Sequence, residues 1–189
     1  MRVVLMGPPG AGKGTQAVVI AGALGVPHIS TGDIFRQNVA GGTSLGIEAK
    51  RYMDAGEYVP DGVTNAMVRD RLSQDDCRPG FLLDGYPRTV EQVGELSAML
   101  RSSGEELSQV LELTVDVDEV VGRLVRRAAE QGRSDDTEDV IRRRLEVYAE
   151  QTAPLTAMYA TQGFLVRIDG MGTIEEVSAR ILDALGIDA

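Results

Sequence analysis

The sequence predicts an α/β fold in which a parallel sheet is covered by helices on both faces. Three observations predict it. Apolar runs of only three to six residues recur along the chain, the outer ones bounded by Gly, Pro or Asp, as strands buried on both faces do. Longer stretches with helical apolar spacing lie between them, so strand and helix alternate. The first run ends in a glycine-rich turn that opens directly into the first helical stretch.

In chain order, Val3–Met6 is the first expected strand and Thr15–Leu24 the first helix. A second apolar run lies around Val26–Ile29. Thr31–Val59 then breaks the rhythm, with helical pieces, a Gly41-Gly42 break and no strand, and predicts an insertion on the rim of the sheet. Val63–Leu72 resumes the helical spacing, and Phe81–Leu83 is a third strand closed by Asp84. Val90–Leu100 is helical, Val110–Val115 a fourth strand, and Val117–Ala129 a helix with Asp116 or Asp118 as its N-cap. A short polar interruption, Ala128–Asp136, overlaps the end of that helix and precedes a long helical stretch, Asp139–Tyr159. Phe164–Ile168 is the fifth strand. In the last helix Ile174, Val177, Ile181, Leu182 and Leu185 form one stripe, with Thr173 and Glu176 as its cap.

The strongest chemical signal is Gly7-Pro8-Pro9-Gly10-Ala11-Gly12-Lys13-Gly14-Thr15. Glycines let the backbone curl with its N–H groups inward, and the helix N-terminus adds partial positive charge. Lys13 brings a full cation to the phosphate that moves. The plain alternative is a glycine turn between strand and helix. Seven fixed residues at ordinary frequencies have odds on the order of 10⁻⁸ per starting position, so chance is a poor explanation. Nucleotide phosphate binding follows.

Composition narrows the rest. The 189 residues fit one domain, and 43% apolar residues can fill its core. With 29 acidic and 19 basic residues the net charge is −10, which argues against non-specific binding to nucleic acid or anionic membrane. One cysteine, Cys77, excludes an internal disulfide framework, and one histidine, His28, leaves little material for imidazole-dependent catalysis. The apolar runs are far shorter than the ~18 residues of a membrane span, and the N-terminus lacks the end of a signal peptide. A cytoplasmic protein is expected.

The loop departs from the general P-loop in having Gly14 after the lysine and Thr15 one later. This variant resembles adenylate kinase and its nucleoside-monophosphate kinase relatives. Ser30-Thr31-Gly32-Asp33-Ile34-Phe35-Arg36, Gly80-Phe81-Leu82-Leu83-Asp84-Gly85-Tyr86-Pro87-Arg88 and Gly132-Arg133-Ser134-Asp135-Asp136 continue the likeness in order. It covers essentially the whole chain. The resemblance implies a P-loop three-layer fold with a five-stranded parallel sheet, an AMP-binding segment at 30–59 and a short lid at 126–136. No cysteine lies in that lid, so no zinc is expected. The implied partners are ATP, AMP and ADP, with Mg²⁺ accompanying ATP, and a monomer is expected.

The same resemblance assigns residues. Gly10, Ala11, Gly12, Lys13, Gly14 and Thr15 would hold ATP phosphates, Arg127 would lie over ATP, and the loop Asp169–Thr173, at Gly172, would meet its adenine. Thr31, Arg36, Glu57, Tyr58, Val59, Gly85, Tyr86, Pro87, Arg88 and Gln92 would bind AMP, with Arg88 on its phosphate. Arg133 and Arg144 would reach the phosphates between the nucleotides, and Arg123 would assist. Asp84 would order magnesium through water.

Bland readings compete for several of these. Thr31 is also good helix-capping chemistry, though its hydroxyl, with Gln92, can discriminate an adenine edge. Uridylate–cytidylate kinases usually carry alanine at that position. Asp84 alone would be a strand-ending aspartate. Asp135 and Asp136 either pair with lid arginines or cap the next helix. Seven arginines lie between positions 123 and 144; for Arg126, Arg142 and Arg143 the resemblance offers no role, and a solvated face is expected. His28, Cys77, Met158 and Tyr159 are read as structural.

The expected reaction is ATP + AMP ⇌ 2 ADP. A P-loop ATPase switch is the alternative of another class, but the chain has no Asn-Lys-x-Asp motif and no Ser or Thr directly after Lys13.

Overall fold

The computed structural model describes residues 1–116, 119–124 and 137–187. Five strands, β1 (Arg2–Met6), β2 (His28–Ser30), β3 (Phe81–Asp84), β4 (Gln109–Thr114) and β5 (Leu165–Asp169), form one parallel sheet in the order β2-β3-β1-β4-β5. β1 is central, with Leu5 opposite Asp84 of β3 and Met6 opposite Glu112 of β4. The carboxyl ends of β1 and β3 therefore open side by side, where open α/β sheets bind ligands.

Alternation along β1 builds two cores. Val4 and Met6 face one side with Leu83, Val110, Val93 and Leu96. Val3 and Leu5 face the other with Leu82, Leu111, Ile20, Val177 and Ile181. Both sets are buried, which is why the strands read as continuous apolar runs rather than alternating ones.

The helices are α1 (Lys13–Leu24), α2 (Thr31–Ala40), α3 (Ser44–Ala55), α4 (Asp61–Leu72), α5 (Val90–Ser102), α6 (Glu138–Val147), α7 (Ala153–Thr161) and α8 (Ile174–Ala184). Residues 119–124 are also helical. α2 and α3 form the rim insertion with a small core of Phe35, Ala49 and Val59. Thr173 and Glu176 make a reciprocal capping box at α8.

Three local expectations are corrected. β2 begins at His28, because the Val26 N–H is spent on the Ala21 carbonyl, completing the left-handed Gly25 end of α1. Ser30, not Thr31, caps α2, its hydroxyl accepting from the Asp33 N–H at 3.2 Å. The expected single helix Asp139–Tyr159 is interrupted by a π-helical turn, Tyr148–Thr152. Pro154 lacks an N–H and its ring crowds the carbonyl four residues back, so regular α geometry cannot run through.

Candidate active site

The carboxyl ends of β1 and β3 border a cleft of about 660 Å³. Its lining includes Gly10, Gly12, Lys13, Gly14 and Thr15 from the glycine loop, and Thr31, Arg36, Glu57, Tyr58 and Val59 from the rim insertion. Asp84, Gly85, Tyr86, Pro87, Arg88 and Gln92 line it beyond β3, with Arg123 and Arg144 opposite. The structure thus brings together residues from positions scattered over most of the chain. Ala11 is buried beneath the loop, and Gly172 is not among the lining residues. Arg126, Arg127, Arg133, Asp135 and Asp136 lie outside the described residues.

The loop's geometry comes from its glycines. Gly10 has φ 84°, and a Cβ there would stand 2.9 Å from Leu124 Cγ, so a larger residue is refused twice, by conformation and by space. Gly12 adopts the same left-handed region immediately before α1. Lys13 Nζ donates to the carbonyls of Gly7 at 2.8 Å and Pro8 at 2.9 Å, which holds the cation over the loop at the positive end of the helix.

Asp84 ends β3 and is buried. Burial pushes its carboxyl up, but the neighbouring His28, Lys13 and Arg88 outweigh that, and it sits below the ordinary carboxylate value. His28 Nε2 is 3.7 Å from Asp84 Oδ2, too long for a hydrogen bond, and is buried with no hydrogen-bond partner. His28 therefore belongs to the site rather than to the core alone. Among the described residues no group of three or more His, Cys, Asp or Glu side chains could hold a metal ion. A single ionised carboxylate suits a hard cation that keeps most of its water.

Arg88 is held from several directions. Its Nε donates to the Gly85 carbonyl and its backbone N–H to Gln92 Oε1, each at 2.7 Å. The Thr31 hydroxyl donates to the same Gly85 carbonyl at 2.9 Å. Gly85 has φ 79°, and a Cβ there would meet Arg88 Nη2 at 2.7 Å and Thr31 Oγ1 at 2.8 Å. Glycine is the residue that lets these two side chains converge. Gln92 is 1% exposed, and its Nε2 donates to Asp61 Oδ1 at 2.7 Å, so both ends of its amide are engaged within the protein. The Tyr86 phenol is likewise buried, donating to Asn65 Oδ1 at 2.9 Å, and burial raises it above the usual tyrosine value. Arg36 pairs with Asp33 on its own helix.

The arginines divide. Arg123 Nε donates to Glu119 at 3.1 Å and its Nη1 to the Gly170 carbonyl at 3.4 Å. Arg142 pairs with Glu138 on an exposed face, as expected. Arg143 does not lie on a merely solvated face: its Nε donates to Glu57 Oε1 at 2.6 Å. The reason is tertiary, since α6 packs against the end of α3 beside Gly56.

Sequence reasoning missed several of these partners. Asp61 bonds Gln92 from 31 positions away and Arg143 meets Glu57 from 86, and no spacing rule announces either contact. Arg180 Nη1 donates to the Asp169 and Met171 carbonyls at 2.8 and 2.6 Å, so the loop after β5 is clamped from α8.

Comparison with known proteins agrees with the geometry. The family model described as adenylate kinase matches residues 5–164. An adenylate kinase of Nocardioides sp. is 62% identical over 99% of this chain and 98% of its own. Adenylate kinases of Kocuria rhizophila, 62% identical over 97% of this chain and 98% of theirs, and Thermobifida fusca, 59% identical over 98% of both, are similar to it along the same length.

Proposed function

The chain belongs to the adenylate kinase family and interconverts ATP + AMP with 2 ADP, and from that premise we propose which of its residues carry the transfer. The glycine loop, Gly10 to Thr15 with Lys13, takes the ATP phosphates. Arg88 takes the AMP phosphate as an end-on fork. Arg123, Arg127, Arg133 and Arg144 spread positive charge over the phosphates between the nucleotides. Residues 30–59 form the AMP-binding segment and residues 126–136 the lid, with Arg127 over ATP and Gly172 near its adenine.

AMP carries a phosphate whose second pKa is ~6, so at pH 7 it is mostly a dianion and already nucleophilic. An AMP phosphate oxygen attacks the terminal phosphorus of ATP, the bond to the bridging oxygen breaks, and two ADP result. No proton need be removed, which suits a chain with one histidine. The protein's task is alignment and charge stabilisation in a site kept dry. Magnesium enters as part of MgATP and neutralises phosphate charge. Asp84, kept ionised despite burial, would hold one of its waters.

Supporting the AMP side is one observation above the rest: Thr31 and Arg88 converge on the Gly85 carbonyl in the lining of the cleft. Thr31 Oγ1 gives its proton to that carbonyl, so toward a base it acts as an acceptor, which suits the exocyclic amine of adenine. The enzyme would work as a cytoplasmic monomer without zinc. No described helix is long and apolar enough to cross a membrane.

The test mixes the protein with ATP, with or without Mg²⁺, and each nucleoside monophosphate in turn. ADP formation that is rapid with AMP, needs Mg²⁺ and slows markedly with UMP or CMP supports the reading. Equal rates with all acceptors would overturn the Thr31 assignment, and an unchanged KM for AMP in Arg88→Ala would overturn that of Arg88.

A further inference from the structure

The Arg88 guanidinium carbon lies 5.0 Å from the centroid of the Tyr58 ring, within the ~6 Å over which a ring face attracts a cation. Tyr58 also reaches Arg88 from behind. Its hydroxyl is 2.7 Å from Thr152 Oγ1, and Thr152 Oγ1 donates to the Arg88 backbone carbonyl at 2.9 Å. A threonine hydroxyl has one proton. With that proton on the Arg88 carbonyl, the tyrosine must be the donor to Thr152, and the relay runs in one direction: Tyr58 O–H to Thr152 O–H to the Arg88 carbonyl.

We propose that the side chain of Tyr58 is a positioning residue for the acceptor phosphate, gripping Arg88 by ring stacking and through Thr152, so that the guanidinium is set before the monophosphate arrives. The inference rests on the reading of Arg88 as the AMP phosphate ligand and gives that site a second layer. Arg88 is fixed at Nε by Gly85, at its N–H by Gln92, at its carbonyl by Thr152 and on its face by Tyr58. None of those contacts uses Nη1 or Nη2, the pair an end-on phosphate fork requires. An arginine on a long stem otherwise loses rotamer freedom when it binds, and a clamp that removes the freedom beforehand lowers the cost.

The three participants come from different parts of the fold. Tyr58 follows α3 in the rim insertion, Arg88 follows β3, and Thr152 ends the π-helical turn before α7. Thr152 is 4% exposed, so the middle of the relay is buried. Placement of the rim insertion is therefore read directly by the phosphate ligand: if the insertion withdraws, Arg88 loses its ring and its relay together.

The test uses the full chain with saturating MgATP and varied AMP. Tyr58→Leu should raise the KM for AMP about 3- to 10-fold, the range expected of a partly shielded cation–π contact, and leave the KM for ATP unchanged. Tyr58→Phe keeps the ring and loses the relay, and should recover most of that loss. In an Arg88→Ala background, Tyr58→Leu should add nothing further; calorimetric AMP binding replaces KM where turnover is too low. Urea unfolding of each variant separates a folding defect from a binding one. A Tyr58→Leu enzyme with wild-type KM for AMP, while Arg88→Ala is impaired, overturns the inference and leaves the Arg88 reading intact. Loss of stability with both KM values unchanged also overturns it, as does an equal effect of Tyr58→Leu with and without Arg88. An Arg88→Ala enzyme with normal AMP affinity fails the underlying reading instead.

Discussion

Arg143 Nε donates to Glu57 Oε1 at 2.6 Å, joining α6 to the loop that follows α3. The same guanidinium reaches Glu146 at 3.2 Å. Arg144, next in the chain, lines the cleft, and so does Glu57. The pair thus ties the edge of the proposed AMP segment to the helix that carries a proposed phosphate arginine. Both side chains are more than a third exposed, so water and salt screen the attraction.

Arg143→Ala should accordingly lower stability only slightly, and by less at high ionic strength. Urea unfolding at low and high salt checks this. A larger loss that persists in salt would mean that packing against Gly56, rather than charge, holds the two elements together.

Gly85→Ala should be far more damaging than its one added methyl suggests. The new Cβ would sit 2.7 Å from Arg88 Nη2 and 2.8 Å from Thr31 Oγ1 in a left-handed backbone. Either side chain must leave the Gly85 carbonyl. Steady-state kinetics should show a raised KM for AMP with the KM for ATP retained; an unaltered AMP response would contradict the convergence described above.

Lys13→Met should lower kcat by about two to three orders of magnitude, the usual cost of deleting one pre-organised charge from a transition state. Its Nζ also satisfies two loop carbonyls, at 2.8 and 2.9 Å, so a modest loss of stability should accompany the loss of turnover. Coupled-assay turnover read beside thermal unfolding distinguishes the two, and full turnover in the variant would refute the lysine's role.

Asp84 predicts an acid limb of stability. Its carboxyl sits below the ordinary value of 3.8, so the folded state favours the ionised form. The resulting stabilisation is complete above the unfolded value and is lost as pH falls through the lower folded one. The stability gap between the protein and Asp84→Asn should be flat above about pH 5 and should change toward lower wild-type stability below about pH 4. Denaturant titrations from pH 3 to 7 measure it, and a gap that widens with acidity in favour of the wild type would reverse the assignment.

Cys77 should resist thiol reagents in the native protein. Burial pushes its thiol up, the Arg71 charge only partly offsetting this, and Arg71 Nη1 lies 3.0 Å from the sulfur. Labelling at pH 8 should be slow, and should reach the rate of a free cysteine once urea unfolds the chain.

Much of the fold was legible from pattern. Apolar runs bounded by turn residues located five strands because the strands are buried on both faces, and the Thr173–Glu176 signature located a helix start. The misreadings share a cause. Thr31 and Ser30 are both good caps, and only the path of β2 decides between them. In Asp139–Tyr159 the apolar stripe and Pro154 point opposite ways, and the structure resolves them as a π turn, Tyr148–Thr152, ahead of the proline.

The sequence by itself determined the alternating α/β architecture, the glycine loop with its lysine, and the Asp84–Arg88 motif. These are short-range facts, written in adjacent residues whose backbone geometry and charge act over one turn or one strand end. The tertiary structure alone decided that Thr31 and Arg88 share a carbonyl, that Arg143 meets Glu57, and that Thr152 stands between Tyr58 and Arg88. Those contacts join residues 54 to 94 positions apart, and no local pattern encodes which distant side chains a parallel sheet and its crossovers will bring within hydrogen-bond reach.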